Sequence, residues 1–235
     1  MDINKYKAIL FDLDGTLLPL EQDEFVKQYF VELIKVMGSF QIEEKELMSA
    51  IWDGTSAMVV NDGSSYNEEV FWNVFIDKTK LEKEKVKPVL DAFYTNEFDN
   101  VKSCASNNKH ARKVIELAHK NGRKVVLATN PLFPLDAQLT RLNWVGLKKE
   151  DFDLITSYES EKYCKPNPNY YREICERIHV APEDCLMIGN DELEDMYAAT
   201  SIGMDAYLVT DHEILRKECP WGKEKGSFES LLQLL

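Results

Sequence analysis

No stretch of this 235-residue chain approaches the ~18 consecutive apolar residues of a membrane-spanning helix, so a helical membrane protein is not expected. Positive charge is in deficit, with 28 Lys plus Arg against 41 Asp plus Glu and a formal charge of −13. Neutralising nucleic-acid phosphates or anionic lipid takes clustered cations, so neither partner class is expected. The first residues, MDINKYKAILFDLDG, lack the long apolar segment of a secretory signal. The five cysteines, Cys104, Cys164, Cys175, Cys185 and Cys219, are odd in number and show no CxxC spacing. They read as reduced, mostly buried thiols, and together with the missing signal they point to a cytoplasmic protein. Repeats and low-complexity segments are also absent. What the chain does have is 44% hydrophobic and 11% aromatic residues, enough for a real core in one large domain or in a domain plus a smaller module.

Short aliphatic runs at 6–12, 123–129, 153–157, 185–189 and 206–210 end in turn or polar residues, and helical patterns follow most of them. The first, second and fourth runs are nearly continuous in apolar residues, as strands of a parallel sheet covered on both faces should be. Residues 107–121 place Ala111, Val114, Ile115 and Ala118 on one helical face, with Gly122 as the expected C-cap. Residues 169–178 repeat that spacing with Tyr171, Ile174, Cys175 and Ile178. Alternating strand and helix predicts an α/β fold, a doubly wound, mainly parallel Rossmann-like sheet with right-handed crossovers. About 110 residues separate the first two strands, where a crossover needs only a few dozen at most. The excess carries helical patterns such as Phe25, Tyr29, Phe30, Leu33, Ile34 and Met37, then Val70, Phe71, Val74 and Phe75. An inserted helical bundle over 20–100, standing on a core of 1–19 and 101–235, is therefore expected. The charged run 77–87 reads as one solvated helix face.

Four places carry chemistry. The first strand runs into Asp12, Leu13, Asp14, Gly15 and Thr16, and strand alternation sends Asp12 and Asp14 to one side at the carboxyl end of the sheet. The ordinary alternative is an Asp-Gly hairpin turn, but no paired strand returns after Gly15. The second strand ends in Thr129, Asn130 and Pro131, whose hydroxyl, amide and backbone N–H groups suit anionic oxygen, although Thr-Asn-Pro alone is an ordinary turn. Lys165 sits in the loop YCKPNP, where Pro166 holds it extended; by itself it would be a surface lysine. The fourth strand ends in GNDELED, residues 189–195, whose acids would also be favourable simply as the start of a helix.

Taken together, FDLDGT, ATN, KPNP and GNDELED, in that order around a helical insertion, resemble the haloacid dehalogenase-like (HAD) hydrolase superfamily. The first motif is highly specific; the others persuade by order and spacing. The resemblance implies that Asp12 is a nucleophile forming an aspartyl-phosphate and that Asp14 protonates the leaving alcohol and then activates water. It implies that Thr129, Asn130 and Lys165 bind the phosphoryl group. Carboxylate attack on a phosphate anion needs charge neutralisation, and Mg²⁺ suits all-oxygen ligation. The metal set that the resemblance implies is Asp12, Asp14 through its backbone carbonyl, Asp191 and Asp195. Many relatives have Asp directly after the glycine of the last motif, where this chain has Asn190. Asp191 is then the preferred direct ligand, with Asp195 binding through water or holding Lys165. Asp14 favours phosphate esters over haloacids, because only an alkoxide leaving group needs a proton.

The expected function is a Mg²⁺-dependent phosphatase for a small phosphorylated metabolite, phosphoglycolate phosphatase-like or nucleotide- or sugar-phosphatase-like. A phosphotransferase or phosphomutase, or a non-catalytic phosphate-binding protein, remains open, as do the substrate and the oligomeric state. Leu17, Leu18, Pro19 and Leu20 should form the hinge into the insertion. Trp52, Phe71 and Trp72 read first as core and second as pocket lining. Residues 52–56 read as a polar break between helices and a specificity loop. His110, His119, His179 and His212 show no metal-ligand spacing and read as surface or helix-packing residues.

Overall fold

The computed structural model describes residues 1–216 and 220–235. Cys219 lies outside them. Among the described residues six parallel strands form one sheet in the order β3-β2-β1-β4-β5-β6. They are β1 (Ala8–Phe11), β2 (Lys124–Leu127), β3 (Leu154–Ile155), β4 (Cys185–Gly189), β5 (Asp205–Val209) and β6 (Lys225–Gly226). The expected α/β doubly wound sheet is what forms. The unforeseen β6 is two residues long, without a β-branched run, and is held by pairing Leu208 with Lys225.

The central strands are apolar because both faces are covered. Ile9 and Phe11 join a core that continues through Leu127 and Ile188 to Phe25, Tyr29, Phe75 and Phe98. Ala8 and Leu10, alternating with them, join Met187, Tyr170, Tyr171 and Ile174 on the other face. That second face is covered by α7 (Pro168–Ile178), capped by the Asn167 side chain accepting from the Asn169 N–H. Register aligns Phe11 with Leu127 and with Ile188, so β1, β2 and β4 end level with one another.

Between β1 and β2 lie α1 (Gln22–Met37), α2 (Glu44–Val59), α3 (Asn67–Thr79) and α4 (Lys83–Thr95), then a 3₁₀ segment Glu97–Cys104 and α5 (Ala111–Ala118). The four apolar positions expected on α5 are all buried. Its C-cap is His119, and Gly122 instead ends a short 3₁₀ turn that follows. The chain enters and leaves the helical insertion side by side, with an antiparallel bridge between Leu20 and Ala105 and a 2.9 Å bond from the Ser106 N–H to the Pro19 carbonyl.

Two expectations about the insertion change. Residues 52–56 lie within α2 and make no loop; Gly54 lets α2 approach α3 closely, because a Cβ there would come within 2.7 Å of the Phe71 ring. Residues 77–87 are not one helix face. Thr79 ends α3, Lys80 turns the chain in the left-handed region at φ 54°, and Lys83 starts α4. No helix among the described residues is long and apolar enough to cross a membrane. Cys104, Cys164, Cys175 and Cys185 are free and buried.

Candidate active site

The ends of β1, β2 and β4 carry the predicted residues to one place. Asp12 continues β1 for one more bond, its N–H donating to the Ile188 carbonyl at 2.9 Å. The chain then doubles back, with the Gly15 N–H on the Leu18 carbonyl at 2.7 Å and Gly15 at φ 81°, a conformation that a side chain would strain. A Cβ on Gly15 would also stand 2.2 Å from the Asn190 amide nitrogen, so the first and last motifs touch at this glycine.

Lys165, 1% exposed, is the electrostatic centre. Its Nζ donates to Asp12 Oδ1 at 2.8 Å and to Asp195 Oδ1 at 2.6 Å. Burial alone would drive the ammonium neutral, but the two carboxylates hold its pKa well above the ordinary lysine value. Burial pushes the Asp12 carboxyl upward, an effect that Lys165 only partly offsets. Asp195 spends its other oxygen on the Asn190 and Asp191 N–H groups, both at 3.0 Å. Gly189 makes this possible, since a Cβ there would sit 2.2 Å from Asp195 Oδ2. Both Asp195 oxygens are therefore committed to holding Lys165 and the loop.

The other predicted residues surround this pair. The Thr129 carbonyl accepts from the Tyr170 and Thr156 hydroxyls, each at 2.8 Å, which fixes the end of β2. Asn130 grips the lysine loop, accepting from the Lys165 N–H at 3.3 Å and donating to Glu194 Oε2 at 3.0 Å. Burial raises the Glu194 carboxyl to about 7. Asn190 spans two loops, accepting from the Thr16 hydroxyl at 3.3 Å and donating to the His212 carbonyl at 2.7 Å. Asp191 caps the π-helical turn Glu192–Tyr197 through Oδ1, accepting from the Leu193 and Glu194 N–H groups, and its Oδ2 meets the Arg216 guanidinium at 2.9 Å.

Three participants were not anticipated. Arg141, on α6 (Leu135–Trp144) and 1% exposed, pairs with Asp14 and stacks 4.6 Å from the Phe133 ring centroid. Its signal was available: Gln138 and Arg141 are one helical turn apart on a face shared with Ala137 and Leu142. Arg216 and His212 reach the site from the segment after β5, where nothing local marks them; His212 Nδ1 is 3.5 Å from Glu21 Oε1.

Asp12, Asp14, Thr129, Asn130, Asn190, Asp191, Glu194, Asp195, His212 and Arg216 border one cavity of about 670 Å³, walled by helices of the insertion, with Lys165 and Arg141 buried behind its floor. Trp52, Phe71 and Trp72 all line it, so the second of the two readings of these aromatics describes their position; Phe71 and Trp72 are core as well.

A family model for haloacid dehalogenase-like hydrolases matches residues 6–203. The chain belongs to that family. Among similar HAD-like proteins is a glyceraldehyde 3-phosphate phosphatase from Methanothermobacter thermautotrophicus, 28% identical over 86% of this chain and 85% of that protein. CbbY from Rhodobacter sphaeroides, solved in complex with phosphate, superposes with a TM-score of 0.61 at 18% identity over 96% of each chain. A HAD family enzyme from Bacteroides thetaiotaomicron, solved with magnesium and inorganic phosphate, gives a TM-score of 0.54 at 18% identity over 89% of this chain and 96% of that one.

The donor chemistry here fits the magnesium that HAD-like enzymes generally use. The candidates are oxygens only, the Asp12 and Asp191 carboxylates and the Asp14 main-chain carbonyl, as a hard cation requires. Among the described residues no three His, Cys, Asp or Glu side chains form a ready metal cluster. A set of two carboxylates and one carbonyl needs no such cluster. Arg216 already brings positive charge to Asp191.

Proposed function

We propose that the protein is a Mg²⁺-dependent phosphatase that hydrolyses a small phosphomonoester through an aspartyl-phosphate on Asp12. The helical segment 20–100 serves as the cap over the core of 1–19 and 101–235. The observation that carries this reading is Lys165, buried and bridging Asp12 and Asp195 beside the ends of β1 and β2. A nucleophilic carboxylate facing a phosphate anion needs such a fixed cation, and family membership and the phosphatase among the relatives agree with it.

Asp12, Asp191 and the Asp14 carbonyl would hold Mg²⁺, which supplies charge neutralisation on the phosphoryl oxygens. An Asp12 oxygen attacks phosphorus while the bond to the ester oxygen breaks, and Asp14 delivers the proton that the departing alkoxide requires. Water then attacks the phosphoryl group, Asp14 takes its proton, and inorganic phosphate and a free Asp12 carboxylate result. Thr129 faces the phosphoryl group. Asn130 acts through the Lys165 loop, and Asp195 anchors Lys165 without touching substrate. Arg141 positions Asp14.

Purified protein should hydrolyse an aryl phosphate with Mg²⁺ and form a Mg²⁺-dependent beryllofluoride adduct. EDTA and Asp12→Asn should each abolish turnover. Activity persisting in pure Asp12→Asn protein would falsify the mechanism. Tight phosphate-ester binding without turnover across a broad panel would favour a binding protein instead.

A further inference from the structure

The cavity changes character between floor and walls. Above the carboxylates the lining passes to Phe25, Tyr29, Phe30, Phe71, Trp72 and Tyr158, each less than 10% exposed and packed against neighbouring rings in edge-to-face, tilted and stacked arrangements. Trp52 stands at the lip, 48% exposed, 5.8 Å from Phe30 between ring centroids. Of the described lining residues Arg216 alone is a Lys or Arg, and it is engaged with Asp191 at the floor. The Tyr29 and Tyr94 hydroxyls bond each other at 2.9 Å, which leaves those two polar groups satisfied inside the wall. Glu21, which lines the cavity, is largely solvated, with its side chain 77% exposed.

We infer that the preferred substrate is a phosphomonoester whose alcohol carries an uncharged, ring-bearing apolar body; this rests on the phosphatase reading above. A second anionic group on the alcohol, a carboxylate or another phosphate, would be buried against ring faces with no free counter-charge and would lose its hydration uncompensated. A polyhydroxylated sugar would find few partners for its hydroxyls there, Gln22, Thr55 and the unpartnered Trp72 Nε1–H among mostly ring surfaces. An aromatic ring instead meets offset and edge-on neighbours of the kind rings prefer, in a cavity of the size that encloses a ring-sized ligand beside a phosphate.

The test compares four alkyl phosphates with the Mg²⁺-loaded protein: 3-phenylpropyl, propyl, 3-carboxypropyl and choline phosphate. Phenylpropanol and propanol are leaving groups of similar acidity, so a difference between their esters reports the wall and not the chemistry. The expected kcat/KM for the phenylpropyl ester exceeds that of the propyl ester by about 10- to 100-fold, the range given by burying one phenyl group. The carboxypropyl ester should fall below the propyl ester, and Trp52→Ala should narrow the phenylpropyl-to-propyl ratio. Asp12→Asn protein should show tryptophan fluorescence changes at lower concentrations of the phenylpropyl ester than of the propyl ester. Equal values for those two esters, or a preference for the carboxylate or choline ester, overturns this inference and leaves the phosphatase reading intact. Failure to turn over any ester overturns the phosphatase reading and this inference with it.

Discussion

The two ends of the cavity are built on opposite principles. At the floor the charged groups are tied by named pairs: Lys165 by Asp12 and Asp195, one Asp14 oxygen by Arg141, Asp191 by Arg216 and two backbone N–H groups. At the walls the side chains are largely rings whose contacts are many and individually small. A network of buried charges fails when one member is removed, because the others are left unpaired in a medium that cannot solvate them. A wall of rings loses area in proportion to what is cut away. Floor substitutions should therefore cost turnover and stability together, whereas a substitution at the exposed lip of the wall, Trp52, should change preference at little cost in stability.

The largest break is Lys165→Met. With Asp12 and Asp195 left facing each other, turnover should fall about 10²- to 10³-fold or more and unfolding free energy by about 3–5 kcal/mol, read by steady-state kinetics and urea titration. A soluble variant of wild-type stability would show that the floor is not a coupled network. Arg141→Met comes next. By freeing Asp14 it should slow hydrolysis of an alkyl phosphate about tenfold or more while sparing 2,4-dinitrophenyl phosphate, whose leaving group needs no proton. Equal losses on both esters would mean that Arg141 supports the fold and not the proton transfer.

Gly189→Ala forces a methyl into the space of Asp195 Oδ2 and should cost about 1–3 kcal/mol, seen as a lower Tm, with kcat falling as Lys165 shifts. Glu161 tests the same logic away from the floor. Buried and paired with Arg177, its carboxyl is raised by burial from 4.5 to about 7. The folded state thus holds this proton more tightly than the unfolded state, and the group costs stability increasingly as pH rises through that interval. Glutamine cannot ionise, so the stability of Glu161→Gln relative to wild type should rise by roughly 1–3 kcal/mol between about pH 5 and about pH 8. A pH-independent difference would place the Glu161 pKa near its ordinary value. The smallest stability effect is expected at the wall's lip, where Trp52→Ala should change unfolding free energy by no more than about 0.5 kcal/mol.

Legibility in the sequence followed locality. Strands β1, β2 and β4 and the groups at their ends were readable, because an apolar run followed at once by polar residues marks both a buried strand and the place where it stops. The two insertion features differ from their readings in opposite ways: 77–87, read as one helix face, is broken at Lys80, and 52–56, read as a break, is helical. A short polar stretch, Asp53 to Ser56, looks like a break, yet in α2 it is a helix turn with Gly54 against Phe71. Arg141 and Arg216 were missed because their meaning lies in partners 127 and 25 residues away. Asn190, Asp191 and Asp195 all line the cavity, and local sequence could not say what each side chain holds: Asn190 ties Thr16 to the 212 loop, Asp195 holds Lys165, and Asp191 caps the following turn and meets Arg216.

The side-by-side passage of the chain at Leu20 and Ala105 has a consequence for how such proteins diversify. A segment whose two ends are neighbours can be exchanged as a cassette without rethreading the sheet beneath it. The constraints on a replacement include the docking face of α6, where the Thr140 hydroxyl meets the Tyr94 carbonyl at 2.9 Å and the Trp144 Nε1–H meets Asp99 Oδ1 at 2.7 Å, and the start of α3, where the Asn67 and Glu68 N–H groups meet the Glu161 and Tyr158 carbonyls at 2.9 and 2.8 Å. Any cassette that satisfies those anchors inherits the carboxylates below it unchanged.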